Sequence, residues 1–418
     1  MIYLDSAATS LLKPPSVARA TAMAVRTMAS PGRGGHSAAM RAADTVFACR
    51  EAAAELFHVP ELERVVFTMN ATHALNIAIH SLVSPGDPVV ISGYEHNSVT
   101  RPLHALGAQV RVAESPLFDP EAAVSAFRRA LPGAKAAVCT MVSNVFGYLL
   151  PVQEIAELCA AARVPLIVDA SQSAGILDLD FPGLGAAFAA MPGHKGLLGP
   201  QGTGILLCRD AGMPLLSGGT GGDSRSHFMP ETLPERLEAG THNVCGIAGL
   251  REGIRYIRRR TTRRIYAEEE RLMRRLAARL NILPGLRVYY SDKNDQSGVL
   301  SVVPENMRCD ALSERLGAAG IAVLSLPLVE ERMHRLIGQM GDDTGDGVSH
   351  AGEVGQDVLV VLACLAQLGG RDKIHRVRDL AGILNALDAL LQQLTGRHDS
   401  RLPRRPSMRS GWCRSARE

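Results

Sequence analysis

None of the eight cysteines (Cys49, Cys139, Cys159, Cys208, Cys245, Cys309, Cys364 and Cys413) stands in a Cys-x-x-Cys pair or at zinc-finger spacing. A bound metal and a disulfide framework are therefore not expected, and scattered thiols fit a reducing, cytoplasmic setting. No apolar run approaches the ~20 residues that a membrane span requires. The longest covers residues 358–368. The opening Met1-Ile2-Tyr3-Leu4-Asp5 has neither a basic n-region nor an apolar h-region, so a secretory signal is not expected. A large excess of charge is also missing: 45 Lys+Arg stand against 42 Asp+Glu, a formal +3. Residues 397–418 alone hold seven arginines against Asp399 and Glu418, so the rest of the chain is net negative. That balance does not argue for a nucleic-acid partner. A second basic stretch, residues 251–281, carries Arg258-Arg259-Arg260 and Arg263-Arg264 but few aromatics that could stack on bases. Its Ile254, Ile257, Ile265, Leu272, Leu276 and Leu280 recur at helical spacing, which reads as one long helix with a solvated basic face.

What is present is a globular composition, 46% hydrophobic and 21% charged over 418 residues, enough for two or three domains with buried cores. The first 250 residues alternate short β-rich runs with helical patterns. Strands are predicted at 64–68, 88–92, 135–142, 165–169 and 204–207, and helices at 72–82, 120–130 and 152–162. Leu166-Ile167-Val168 and Ile205-Leu206-Leu207 are apolar on both faces, as strands covered by helices on both sides should be. The alternation predicts an α/β fold with a largely parallel sheet. A Gly-rich linker, Ser217 to Asp223, leads to the Arg-rich helix. Beyond it come a strand at 298–303, a helix at 310–319, an apolar run at 321–324, a Gly- and Asp-rich loop at 338–355 and a helix at 380–394. This reads as a smaller α+β domain, with a disordered basic tail at 397–418.

The strongest local signal is Pro192-Gly193-His194-Lys195-Gly196, a lysine in a Gly-rich turn before a buried strand. Gly-x-x-x-x-Gly-Lys-Ser/Thr is absent, which excludes a P-loop. A partly desolvated lysine loses its proton readily and can attack a carbonyl to form a Schiff base. Pyridoxal phosphate (PLP) needs such a lysine and a carboxylate for its ring nitrogen. Asp169, 26 residues earlier, ends the apolar strand at the edge where open α/β sheets place ligands. Taken alone, Asp169 also fits a strand-end cap.

Seven motifs in order give the resemblance. They are Tyr3-Leu4-Asp5-Ser6-Ala7-Ala8-Thr9, Ser30-Pro31-Gly32-Arg33-Gly34-Gly35-His36, Phe67-Thr68-Met69-Asn70-Ala71-Thr72, Glu95-His96-Asn97-Ser98, Val142-Ser143-Asn144-Val145-Phe146-Gly147, Val168-Asp169-Ala170-Ser171-Gln172 with Pro192-Gly193-His194-Lys195, and Glu238-Ala239-Gly240-Thr241-His242-Asn243. Over residues 1–323 the chain resembles the class V aminotransferase group of PLP enzymes, and within it the cysteine desulfurase family. The resemblance implies the PLP-dependent transferase fold type I, with a mainly parallel seven-stranded sheet. It divides the chain into a large domain at 13–251 and a small domain made of 1–12 and 252–396, and it implies a homodimer.

It also implies roles. Lys195 carries the cofactor covalently and Asp169 pairs with its ring nitrogen. His96 stacks on the ring and shuttles a proton. Asn144 and Gln172 bond the ring's phenolic oxygen. Thr72 and the backbone at Ala71 hold the phosphate at a helix N-terminus, with His194 as a second contact and Thr241 reaching the partner subunit's phosphate. Arg33 and His36 lie near the substrate entrance. Each has a plainer reading by itself: His96 as a surface histidine, Thr72 as a helix cap, Asn144 as a turn residue, Arg33 and His36 as surface groups.

The pattern breaks after Gly320-Ile321-Ala322-Val323. The family continues with an arginine and a His-Cys-Ala loop whose cysteine takes the sulfur, and with a further arginine for the substrate carboxylate. Here Leu324-Ser325-Leu326-Pro327 follows, and His-Cys-Ala occurs nowhere. Three readings stay open. Cys364, 13 residues before Val377-Arg378, serves as nucleophile despite the apolar setting Val360-Val361-Leu362-Ala363-Cys364-Leu365, which raises a thiol pKa. Or the chain is a class V aminotransferase or lyase on another small amino acid. Or residues 324–376 are a replaced segment and the protein is impaired, acting as a partner in sulfur transfer. The leading expectation is removal of sulfur from L-cysteine to give alanine and a persulfide, passed to a sulfur-acceptor protein.

Overall fold

A computed structural model describes residues 1–32, 34–220, 226–293, 295–326 and 358–362. In chain order the elements begin with β1 (Ile2–Tyr3), α1 (Pro15–Thr27), α2 (Ser37–Leu56), β2 (Val65–Thr68), α3 (Ala71–Leu82), β3 (Pro88–Ser92) and α4 (Asn97–Ala105). They continue with β4 (Gln109–Ala113), α5 (Pro120–Ala130), β5 (Ala136–Thr140), α6 (Val152–Ala162), β6 (Leu166–Asp169), α7 (Phe181–Leu184), β7 (Phe188–Pro192) and β8 (Gly204–Cys208). The last are α8 (Val244–Arg260), α9 (Thr262–Leu280), β9 (Leu286–Tyr289), β10 (Val299–Pro304), α10 (Cys309–Ala318), β11 (Ile321–Ala322), β12 (Leu324–Leu326) and β13 (Val358–Leu362).

Seven strands form one sheet in the order β2-β8-β7-β6-β5-β3-β4. The four ladders from β7 to β4 are parallel, and β8 runs antiparallel to both β7 and β2. This is the α/β fold with a largely parallel sheet expected from the βα alternation, and its seven strands agree with the fold type I that the resemblance implies. β6 shows why an all-apolar strand belongs in its middle. Leu166 and Val168 enter one hydrophobic cluster and Ile167 the other, because successive side chains point to opposite faces. Each such side chain, fully buried, contributes about 1.5–3 kcal/mol. In register, Thr140 of β5 sits beside Asp169 of β6, which sits beside Ala190 of β7. The carboxyl ends of the three central strands therefore share one edge, and the chain leaves β7 there toward Lys195.

A four-stranded sheet, β12-β13-β10-β9, lies beyond α8. Leu272, Leu276 and Leu280 of α9 pack with Leu300 and Val302 of β10 and with Leu312 and Leu316 of α10. Leu4 joins this cluster, and β1 pairs in parallel with β11. The first residues of the chain thus fold with its later part and then run back across the large sheet.

Two expectations change. The basic stretch is two helices, not one. Thr261 adopts φ +67°, its N–H donates to the Ile257 carbonyl at the end of α8, and its hydroxyl accepts from the Arg264 N–H at the start of α9. A threonine that caps both neighbours competes with continuous helix. The apolar run at 321–324 is split between β11 and β12. The predicted loop at 338–355, the helix at 380–394 and the basic tail lie outside the described residues.

Candidate active site

Ala71, Thr72, His96, Asn144, Asp169, Gln172, His194 and Lys195 all line one cavity of about 310 Å³ at the carboxyl edge of the large sheet. Thr241 does not. It lines a different cavity of about 130 Å³, with Met69, His73 and Gly202. His36 is exposed, and its ring caps α2 by accepting the Ala39 N–H at 3.4 Å. Arg33 and Cys364 lie outside the described residues.

Asp169 is the last residue of β6 and only 3% exposed. Its Oδ1 accepts the Ser171 N–H at 2.9 Å, which fixes the carboxylate. Lys195 stands in the turn after β7. Burial pushes its ammonium pKa down, opposed by the nearby charge of Asp169. The lysine is thereby biased toward the neutral, nucleophilic amine while keeping a carboxylate counter-charge.

Glycine lets these two loops meet. Gly175 adopts φ +83°, and a Cβ there would lie 2.6 Å from the Gly196 carbonyl oxygen. The turn after Asp169 and the turn carrying Lys195 thus touch backbone to backbone.

The N-terminus of α3 forms another wall. Asn70, not Thr72, is its cap: its side chain accepts the His73 N–H at 2.8 Å. The N–H groups of Ala71 and Thr72, in the first turn, have no carbonyl partner within the helix. Together with the helix dipole they make a place for an anion. Beside it, the His96 ring caps α4, its Nδ1 accepting the Ser98 N–H at 3.1 Å. His96 is exposed by surface area, yet desolvation by the protein around its ring lowers its imidazole pKa; Asp169 opposes this, and Lys195 and Arg101 add to it.

His194 sits against the N-terminal strip. Its Nδ1 lies 3.0 Å from Thr9 Oγ1, and its carbonyl accepts the N–H and hydroxyl of Ser10 at 3.1 and 2.9 Å. Burial, with the charges of Lys195 and Lys13, pushes its pKa down to about 4, so the ring is neutral at physiological pH. Ala7 and Ala8 line the cavity, and Gln172 Nε2 donates to the Ala7 carbonyl at 3.1 Å. The amide's other N–H is free to serve a ligand.

Sequence reasoning assigned no role to Glu95 or Ser98. Glu95 Oε1 accepts the Thr140 N–H at 2.7 Å and the Ser92 hydroxyl at 2.5 Å, which ties the loop carrying His96 to β5. The sequence signal was their place in the Glu95-His96-Asn97-Ser98 motif. Among the described cysteines, none lines this cavity. Cys49, Cys139, Cys159, Cys208 and Cys309 are buried, and burial pushes the thiols of Cys49 and Cys159 up to about 12. Cys245 is partly exposed.

The cavity therefore offers an amine for a carbonyl group, a buried carboxylate for a basic ring nitrogen, and a helix N-terminus for a phosphate. A molecule bearing all three finds a partner for each. Among the described residues no cluster of side chains could hold a metal ion, and no helix is long and apolar enough to cross a membrane.

Comparison with known proteins agrees with this donor set. Residues 2–327 match the family model for aminotransferase class-V. A probable cysteine desulfurase of Methanothermobacter thermautotrophicus is 34% identical over 341 residues, covering 78% of this chain and 83% of that protein. One from Xylella fastidiosa is 30% identical, covering 78% and 81%. The apo structure of a cysteine desulfurase from Thermococcus onnurineus superposes with a TM-score of 0.78 at 26% identity, over 94% of this chain and 95% of that one.

Proposed function

Because the chain belongs to the class-V aminotransferase family, we propose that it is a PLP-dependent enzyme that removes sulfur from L-cysteine, giving alanine and a persulfide. The observation that carries this reading is the meeting of Lys195, Asp169 and the α3 N-terminus in one cavity, in a chain whose similar relatives are named cysteine desulfurases.

In this reading Lys195 supplies the amine for the cofactor's aldehyde and later moves protons at the substrate carbons. Asp169 keeps the ring nitrogen protonated. Ala71 and Thr72 hold the phosphate, with neutral His194 as an added donor. Asn144 and the unused N–H of Gln172 serve the phenolic oxygen. His96 stacks on the ring and faces the substrate as a hydrogen-bond donor. Thr241, outside this cavity, is left to serve a partner subunit in a homodimer, with Arg33 and His36 near the entrance. The domain division at 13–251 follows from the same reading. Bound PLP supplies an electron sink for the carbanion character that develops on the substrate.

Sulfur leaves as follows. A thiolate attacks the substrate sulfur, the Cβ–S bond breaks, Cβ takes a proton, and the thiol becomes a persulfide. Cysteine and one thiol become alanine and one persulfide, so atoms and electrons balance. The six described cysteines are set aside by their position. Cys364 and Cys413 remain, and we assign the role to Cys364, which follows β13 in sequence. A sulfur-acceptor protein or a reductant then discharges the persulfide.

The test is quantification of alanine and sulfide from L-cysteine, PLP and a thiol reductant. Wild type should give equal amounts, and Lys195→Ala and Cys364→Ser none. Turnover retained in Cys364→Ser but lost in Cys413→Ser moves the assignment. A spectral change with another amino acid and none with cysteine replaces the substrate.

A further inference from the structure

A line of short hydrogen bonds crosses the cavity wall from α3 to α4. Thr72 Oγ1 lies 2.8 Å from Ser98 Oγ, and Ser98 Oγ lies 2.9 Å from His96 Nδ1. The Ser98 N–H donates to the same nitrogen at 3.1 Å. We propose that Ser98 is a positioning residue that locks the His96 imidazole as the neutral tautomer with its proton on Nε2, and couples that lock to the Thr72 hydroxyl in the anion cradle. The inference deepens the proposed function and rests on it for the roles of His96 and Thr72.

The argument is one of valence. A backbone N–H can only donate, so the nitrogen that receives it carries no proton. Nδ1 of a neutral imidazole has one lone pair, and both donors of Ser98 converge on it. The remaining proton must then sit on Nε2. The Ser98 hydroxyl has a single hydrogen. When it is given to Nδ1, its oxygen is left to accept from Thr72, so the direction of the whole line is set. Protonating Nδ1 would oppose the Ser98 N–H and release the cap of α4. The charged groups that act on the imidazole from the surrounding elements are Asp169 of β6, Lys195 after β7 and Arg101 on α4. The first favours imidazolium and the other two oppose it.

The test is nitrogen NMR of the cofactor-loaded, full-length protein labelled at histidine, with His96→Gln to assign the His96 signals. Wild type should show Nδ1 unprotonated and Nε2 protonated at neutral pH. Ser98→Ala removes the hydroxyl and keeps the N–H. It should raise the pH at which His96 protonates and lower kcat about 2- to 12-fold, the loss of one neutral hydrogen bond, with little change in KM. Ser98→Thr should restore both. A purely structural role would change the melting temperature or cofactor retention without moving the tautomer or the pH profile. Wild-type Nδ1 found protonated, or a His96 titration unchanged or lowered in folded Ser98→Ala, overturns the proposal. If Ser98→Ala does not fold, the wild-type tautomer still decides. A wild-type protein that makes no alanine defeats the functional reading and leaves the imidazole measurement independent of it.

Discussion

Arg50 and Glu238 face each other through two parallel hydrogen bonds of 2.9 and 3.0 Å, with side chains only 9% and 4% exposed. The pair, from α2 and the loop before α8, is tied to β2 of the large sheet. Glu238 Oε1 also accepts the Phe67 N–H at 2.6 Å, and the Arg50 guanidinium lies 4.7 Å from the centre of the Phe67 ring. His242 Nε2 lies 3.2 Å from the other carboxylate oxygen. The loop carrying Thr241 between Glu238 and His242 is thus anchored in the core at both sides.

Burial alone would raise the Glu238 carboxyl, but hydrogen bonding from His242 and the charge of Arg50 hold it below the ordinary carboxylate range. The pair's stabilisation is therefore complete above that range and is lost as pH falls through the lowered value. Arg50→Met should cost about 3–5 kcal/mol in chemical denaturation at pH 7, because it strands a buried carboxylate. Arg50→Met with Glu238→Met should recover only part of the loss, because the buried Phe67 N–H then lacks its acceptor. A single variant as stable as wild type contradicts the assignment.

The lowered pKa of Lys195 predicts how fast the free protein takes up PLP. Only the neutral amine attacks an aldehyde, and its fraction rises with pH through the lysine's own pKa. The rate at which the visible cofactor band forms should climb with pH and level off below the ordinary lysine range. Asp169→Asn removes the group that opposes the shift, so its plateau should begin at lower pH. A rate still climbing at pH 10.5 contradicts this.

His194, held at about 4, makes the fold sensitive to mild acid. The unfolded chain takes up a proton near pH 6.5, and the folded one does not until about 4. Stability is thus untouched above that upper value and falls as pH drops between the two. His194→Asn should flatten this part of the curve, as read from melting temperatures across that range. An unchanged slope rejects the neutral imidazole.

Two glycines separate strain from contact. Gly175 and Gly185 have φ +83° and +68°, but only a Cβ at Gly175 meets a neighbour, whereas none lies within 4 Å at Gly185. Gly185→Ala should cost about 1–2 kcal/mol of backbone strain and leave cofactor binding intact. Gly175→Ala should cost more and also weaken cofactor retention, since it pushes on the turn of Lys195. Equal cofactor retention in both variants contradicts the close approach.

The middle of the sheet was legible because β5, β6 and β8 are apolar on both faces, a pattern that only a covered strand satisfies. Two strands of that sheet escaped. β7, Phe188-Ala-Ala-Met-Pro, is Ala-rich and has little β preference by itself; it is a strand because β6 and β8 flank it. β4 lies at the sheet edge, and its first residues are exposed, so its burial signal is weak. The break at Thr261 was hidden because the apolar spacing continues across it. At the site, Lys195 and Asp169 stood out through their chemistry and position. Ser98 did not: its link to Thr72, 26 residues away, is made only when α3 and α4 pack side by side.

The central claim is tested most directly by incubating the purified protein with PLP, L-cysteine and a thiol reductant, and measuring alanine and sulfide together. The account predicts equal amounts of both, and neither from Lys195→Ala. A protein that binds PLP through Lys195 yet forms no alanine from L-cysteine would contradict it.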